Sequence, residues 1–401
     1  MAFLRRFLAP VIALLAAAAF AAAQDKPNQA EAQQALASVP EILKQVSKLT
    51  NLPIKAPVQG EVVSREQIRG YITERMKEST THEDMHAQEA ALIKFGLLPA
   101  GFKLESFVLD LLSEQATAFY DPKSKKIYLS DWAPLNLQQP AIAHELTHAL
   151  QDQHTSLTAF MEDKKMSQDE QAARQSVVEG EGVLAMMDYM MAPSGLKAAD
   201  LPNLGSMVED AAKSEDAKFP VFSAAPPYLK EGLLFPYMYG LTYAQAKQKA
   251  VGADKVYGEL LDHPPHSTHE IMHPDAPAVA PPSIEAPEIP AAQRAGYKKL
   301  DSNVLGEFDV FTLLKITLSE DVAHAVAPLW RAFRYDVYEN ASGKVLLAHR
   351  SQWKDANSAA AFAEAYRRVI AKKAFAGEET RIETHGETVD VIEGLPPAPR
   401  K

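Results

Sequence analysis

The spacing of apolar and polar positions divides the chain into stretches of different period. From about residue 28 to 116 apolar residues recur every three to four positions, the repeat of amphipathic helices. Ser64 with Gln67 reads as a capping box opening one such helix, expected to run to about Glu78. A second is expected from about Thr81 to Phe95, stopped at Gly96, and a third from Leu104 to Gln115. The period then changes in "ATAFYDPKSKKIYLS", where two short β-rich runs flank Asp121-Pro122-Lys123-Ser124, a hairpin signal. Helical spacing returns from about Gln139 to Gln153 and again from Gln168 to Met191. Residues 193–227, rich in Pro, Gly and Ser, predict a long loop. Helix resumes near Leu229 and continues to about Leu261, with Gly240 and Gly252 as interruptions.

Residues 274–290 carry six prolines and predict an extended linker or strap. Beyond it, Asp309 to Leu318 and Arg334 to Glu339 read as strands, "ENASGK" as a turn, and Val345 to Ser351 as a returning hairpin strand. A helix from about Ala356 to Lys373 and two short terminal strands complete the pattern. The expected fold class is α+β: a mainly helical unit with a small sheet, followed by a small α+β C-terminal domain. The expected divisions are a leader at 1–23, a helical region at 24–100, a core at 101–275, a linker at 276–300 and the C-terminal domain at 301–401.

The leader is set apart by its own pattern. Arg5 and Arg6 precede an apolar run from Leu8 to Phe20, and Ala21-Ala22-Ala23 offers a cleavage site before Gln24. This is the pattern of a secretory signal peptide, and the run is short for a membrane span. The chain is therefore expected to be exported, periplasmic or extracellular, with no span after cleavage. Its 401 residues are 47% hydrophobic and 23% charged, an ordinary globular composition. Without the leader, 39 basic residues face 52 acidic ones, a net charge of −13. Such a surface is a poor partner for nucleic acid or anionic lipid. There is no cysteine, so a metal site must be built from His and carboxylates.

Those groups occur in "AIAHELTHALQDQH". His144 and His148 lie one helical turn apart and point the same way, a spacing that lets two imidazoles converge on one metal ion. Glu145, about 100° round the helix, can reach a water on the same ion and act as a base. Ala141, Ile142, Ala143, Leu146, Ala149 and Leu150 leave little of this helix polar, so solvated histidines are the weaker alternative. A catalytic zinc wants a third protein ligand and one open position. "SVVEGEGVLAMMDYM" supplies Glu179 and Glu181, of which only one can face the metal. We favour Glu179, with Glu181 an alternative ligand or an acceptor that orients a ligand histidine. The flanking Gly180 and Gly182 let two helix backbones approach closely.

Taken together, "HELTH" and a helix-borne Glu some thirty residues later resemble the gluzincin metallopeptidases, the clan of thermolysin. The resemblance covers about residues 105–275 and departs from the thermolysin pattern at Val183, where that family has an aspartate. "FYDPKSKKIYLS", "HELTHALQDQ", "VEGEG" and "PPHSTHEIMHP" are more similar to a group of exported prokaryotic proteins of this clan. The resemblance implies one Zn2+ held by His144, His148 and Glu179, Glu145 as general base, and a peptide or protein substrate. It also implies a downstream histidine as an oxyanion donor, for which we single out His273.

Other features are read two ways. The hairpin Ala116 to Ser130 can present an edge strand to an extended peptide or serve only as sheet. His263, His266, His269 and His273 could bind a second metal, but Pro264 and Pro265 break their spacing, and a loop closing over the site is preferred. Tyr239 is a possible oxyanion donor or a core aromatic, and Trp330 and Trp353 read as core. The expected function is an exported zinc metallopeptidase. A zinc hydrolase of a cell-envelope amide and a non-catalytic zinc-containing binding module are the alternatives. The sequence leaves the oligomeric state open.

Overall fold

The computed structural model describes residues 29–132, 135–163, 166–202, 204–215, 218–373 and 378–395; the expected leader lies outside them. Helices α1 (Gln29–Leu36) and α2 (Val39–Thr50) lead into strand β1 (Gln59–Val63). Helix α3 (Arg65–Ser79) opens on the expected capping box, with the Gln67 N–H donating to Ser64 Oγ at 3.3 Å and the Ser64 N–H to Gln67 Oε1 at 2.8 Å. Helix α4 (His82–Phe95) stops at Gly96, which takes a φ of 81° that costs glycine little. Helix α5 (Leu104–Gln115) is followed by the expected hairpin, β2 (Ala118–Asp121) and β3 (Lys126–Ser130). The expectation of helix through 28–116 fails at β1, which pairs in parallel with β3. Five residues ending in Val62-Val63 are too few to show a period and suit a pleated surface. The sheet order β1-β3-β2 leaves β2 on an edge.

Helix α6 (Leu135–His154) starts earlier than expected and runs through Pro140; α7 (Leu157–Met161) and α8 (Gln168–Met191) follow. Residues 193–227 are not one long loop, since they contain two 3-10 turns, α9 (Leu204–Glu215) and α10 (Pro220–Ser223). Helix α11 (Pro227–Val251) continues through Gly240, where an interruption was expected. Gly240 is instead where α8 and α11 touch: a β-carbon on Gly180 would fall 2.2 Å from the Gly240 carbonyl carbon. Helices α12 (Val256–Asp262) and α13 (Thr268–Met272) end the helical region.

The strap carries no helix or strand from 274 to 290. After it come α14 (Ala291–Arg294), β4 (Tyr297–Val304), α15 (Glu307–Thr317), α16 (Glu320–Val326), β5 (Trp330–Asn340), β6 (Val345–Trp353), α17 (Ala356–Lys372), β7 (Glu379–His385) and β8 (Thr388–Leu395). The strands form an antiparallel sheet in the order β4-β5-β6-β8-β7. Asp309 to Leu318, expected as a strand, is helix α15. Its β-branched and aromatic composition suggests a strand, but the Gly306 N–H donates to Asp309 Oδ2 at 3.0 Å and caps a helix buried on most sides. The fold is thus α+β, a helical region followed by a C-terminal β-rich unit. One continuous cluster of buried residues runs from Ala32 to Val391 and includes Trp330 and Trp353. Phe95 of α4 packs edge-on to Tyr335 of β5 at 5.3 Å, so the two regions share that core. No helix among the described residues is long and apolar enough to cross a membrane.

Candidate metal centre

Helix α6 is buried on every face along its centre, so each polar group it carries there needs a partner inside the protein. His144, Glu145, His148 and Gln151 all have zero exposure. Facing them across the core is α8, which brings Glu179 and Glu181, also with zero exposure. His144 Nε2 lies 3.3 Å and His148 Nε2 3.7 Å from Glu179 Oε2, yet neither nitrogen makes a hydrogen bond. Ligand atoms on a tetrahedron with bonds of about 2.0–2.2 Å lie about 3.3–3.6 Å apart, so this spacing fits a cation better than it fits a hydrogen bond.

Charge argues the same way. Burial holds both imidazoles well below their usual pKa, His148 down to about 4, so both are neutral and able to ligate. Burial pushes the carboxyls of Glu145, Glu179 and Glu181 well above the usual carboxylate range. No lysine or arginine among the described residues pairs with any of the three. A bound cation supplies the charge that would let them ionise.

The surroundings divide the carboxylates by role. Glu145 Oε2 accepts the outward-facing Tyr120 N–H of edge strand β2 at 2.7 Å, and its Oε1 is buried without a partner. Glu181 does not join the ligand cluster. Its Oε2 accepts from Gln151 Nε2 at 2.7 Å, while Gln151 Oε1 pairs with His148 Nδ1 at 2.7 Å. That pairing puts a proton on Nδ1 and leaves Nε2 with its lone pair toward Glu179. Gly182, the last of the "EGEG" residues, is the floor of the site: a β-carbon there would lie 2.7 Å from His144 Cε1 and 2.9 Å from His148 Cε1.

Tyr239 packs on Phe235 with ring centroids 4.9 Å apart, as a core aromatic. The tyrosine at the site is Tyr237, which sequence reasoning missed: its ring faces that of His144 with centroids 6.5 Å apart, and its hydroxyl interacts with the Glu179 carboxyl. Tyr237 and Tyr239 are 200° apart on one helix, and nothing in "FPYMYG" says which faces α8.

His273 is not gathered with these residues. Its Nε2 lies 2.9 and 3.1 Å from Glu307 Oε1 and Oε2, and His269 Nδ1 meets the same carboxylate. Two groups among the described residues are therefore placed to hold a metal ion: His144, His148 and Glu179, and His269, His273 and Glu307. The second was legible in part, since "HEIMH" at 269–273 repeats the spacing of "HELTH". The prolines at 264 and 265 lie before that helix and do not disturb it.

Compared with known proteins, residues 293–398 match the model of a family described as a domain of unknown function, DUF8575. No curated protein and no solved structure matches the chain.

Proposed function

We propose that the chain is an exported zinc-dependent hydrolase, in the first place a metallopeptidase, with its reaction centre at His144, Glu145, His148 and Glu179. The observation that carries this reading is Glu145. Three groups already complete a ligand set, and a fourth, fully buried carboxylate beside them is not needed to hold an ion. It is costly to place there without a task. Zinc at such a site lowers the pKa of a water and polarises a carbonyl oxygen. Glu145, held by the Tyr120 N–H, accepts a proton and returns it to the leaving amine. The same contact sets Glu145 against edge strand β2. That strand's four residues are buried and its Tyr120 N–H is already taken, so an extended peptide reaches this edge only once its cover moves. Tyr237, which interacts with Glu179, carries a hydroxyl able to donate to a developing oxyanion.

One observation favours a second reading. All four residues have zero exposure, as suits a structural metal in a binding module, and a substrate reaches them only if the cover moves. The deciding experiment is metal content together with cleavage of a peptide library and of cell-envelope fragments, wild type against Glu145→Gln. Zinc with library cleavage that Glu145→Gln abolishes supports the peptidase. Cleavage confined to the envelope fragments supports an amide hydrolase, and zinc with no cleavage supports the structural reading.

A further inference from the structure

We infer that His269, His273 and Glu307 form a second, independent divalent-metal site that ties the helical region to the C-terminal unit. It repeats the donor set of the first centre. His269 and His273 are one helical turn apart on α13 and its C-cap, their rings 4.6 Å apart and inclined at 48°. Glu307 stands 34 residues beyond His273, as Glu179 stands 31 beyond His148. Both imidazoles turn a nitrogen to the one carboxylate at hydrogen-bond distance, closer than the spacing of the first centre, so an ion enters by replacing those hydrogen bonds.

Glu307 is the first residue of α15, and its side chain has zero exposure. A carboxylate so placed needs positive charge beside it. The two imidazoles already hydrogen-bond this carboxylate, and a divalent ion can take one atom from each of the three groups as a ligand. Access differs from that of the first centre, since the His269 and His273 side chains are 22% and 33% exposed. An ion can therefore exchange there, with water in the remaining position.

The second motif lacks the chemistry of the first. Glu270, the counterpart of Glu145, is turned back on its own helix, where its Oε1 accepts the His266 N–H at 3.1 Å. It is occupied as a cap, so the site binds without a base. Its two sides lie on either end of the proline-rich strap, and a bound ion closes the loop from His273 to Glu307. Neighbouring bonds brace the same junction: Thr268 Oγ1 donates to Asp169 Oδ1 of α8 at 2.6 Å and accepts the Phe308 N–H at 3.2 Å. An ion that binds only this closed arrangement raises the unfolding temperature.

The test is zinc per chain, measured by mass spectrometry after dialysis, in the full chain and in the Glu179→Ala, His273→Ala and Glu307→Gln variants. Circular dichroism confirms that each variant folds. The expected counts are about two ions in the wild type and one in every variant. Zinc should also raise the unfolding temperature of Glu179→Ala by a few degrees and that of the double variant Glu179→Ala, Glu307→Gln not at all. A single wild-type ion lost with His273→Ala supports this site and removes the first. A wild-type ion that persists in both His273→Ala and Glu307→Gln, or no ion at all, overturns it. If Glu307→Gln fails to fold, the more exposed His273→Ala decides.

Discussion

Gly182 lies so close to His144 that a β-carbon on it would stand 2.7 Å from the ring's Cε1 and 3.0 Å from Nδ1. His144 and His148 of α6 rest on bare backbone of α8, and that contact fixes how near Glu179 can come. Gly182→Ala should displace an imidazole and weaken zinc binding by about 10–100-fold, as for other losses of ligand support. Competition against a graded series of chelators measures it, and unchanged affinity would show that the rings have room.

Gly180 faces the other way, toward α11, where the obstacle is backbone and cannot swing aside. Its added β-carbon would meet the Gly240 carbonyl at 2.2 Å. Gly180→Ala should therefore cost about 1–3 kcal/mol of stability or more through overpacking. Denaturant unfolding checks this, and the loss should exceed that of Gly182→Ala. The order of the two variants is the point of the comparison.

Glu145→Gln keeps a carbonyl oxygen for the Tyr120 N–H but removes the proton acceptor. Zinc content should stay at the wild-type value while turnover falls by about 10²–10⁴-fold. Loss of the metal together with activity would make Glu145 a ligand and not a base.

The paired glutamates should separate cleanly. Glu179→Ala removes an atom within 3.7 Å of both His144 Nε2 and His148 Nε2 and should abolish zinc binding at the proposed first centre. Glu181→Ala removes the closer of the two acceptors of Gln151 Nε2 and leaves only the Val178 carbonyl at 3.2 Å, so His148 is held less firmly and affinity should fall by about 10–100-fold only. Isothermal titration of the two variants decides it, and equal losses would mean that Glu181 can take the place of Glu179.

The spacing of His144, Glu145 and His148 was legible because a helix turns i and i+4 to one side whatever surrounds it. The same rule was available for His269 and His273, but their partner Glu307 lies beyond a strap of prolines, and no local pattern shows which helix a strap returns to. The choice between Tyr237 and Tyr239 depends on the rotation of α11. That rotation is set by the Gly180–Gly240 contact, a tertiary fact. Helix α15 was misread because a short apolar run, buried on most sides, has no period to show. Strand β1 was missed for the same want of length, and its partner β3 lies some sixty residues away.

The last expectation concerns the turn that holds β2 against the centre. Asp121 follows Tyr120, the residue whose N–H holds Glu145, and is itself buried. It accepts from the Lys123 N–H and the Ser124 N–H, each at 3.0 Å, and from Arg75 Nη2 at 2.7 Å. Burial by itself raises its pKa, but the hydrogen bonds from Ser124 and from the Lys123 backbone outweigh that, and the carboxyl sits below its ordinary value. In the unfolded chain an aspartate titrates near about 3.9. A folded pKa below that value means the ionised group stabilises the fold above about pH 4 and that this contribution is lost as pH falls through the folded pKa. Asp121→Asn keeps the shape and removes the charge, so it should cost about 1–3 kcal/mol at pH 7. The gap between variant and wild type should then shrink at pH 3. Urea unfolding at the two pH values measures both numbers, and a gap that does not change with pH would mean that the Asp121 charge is not what anchors the turn.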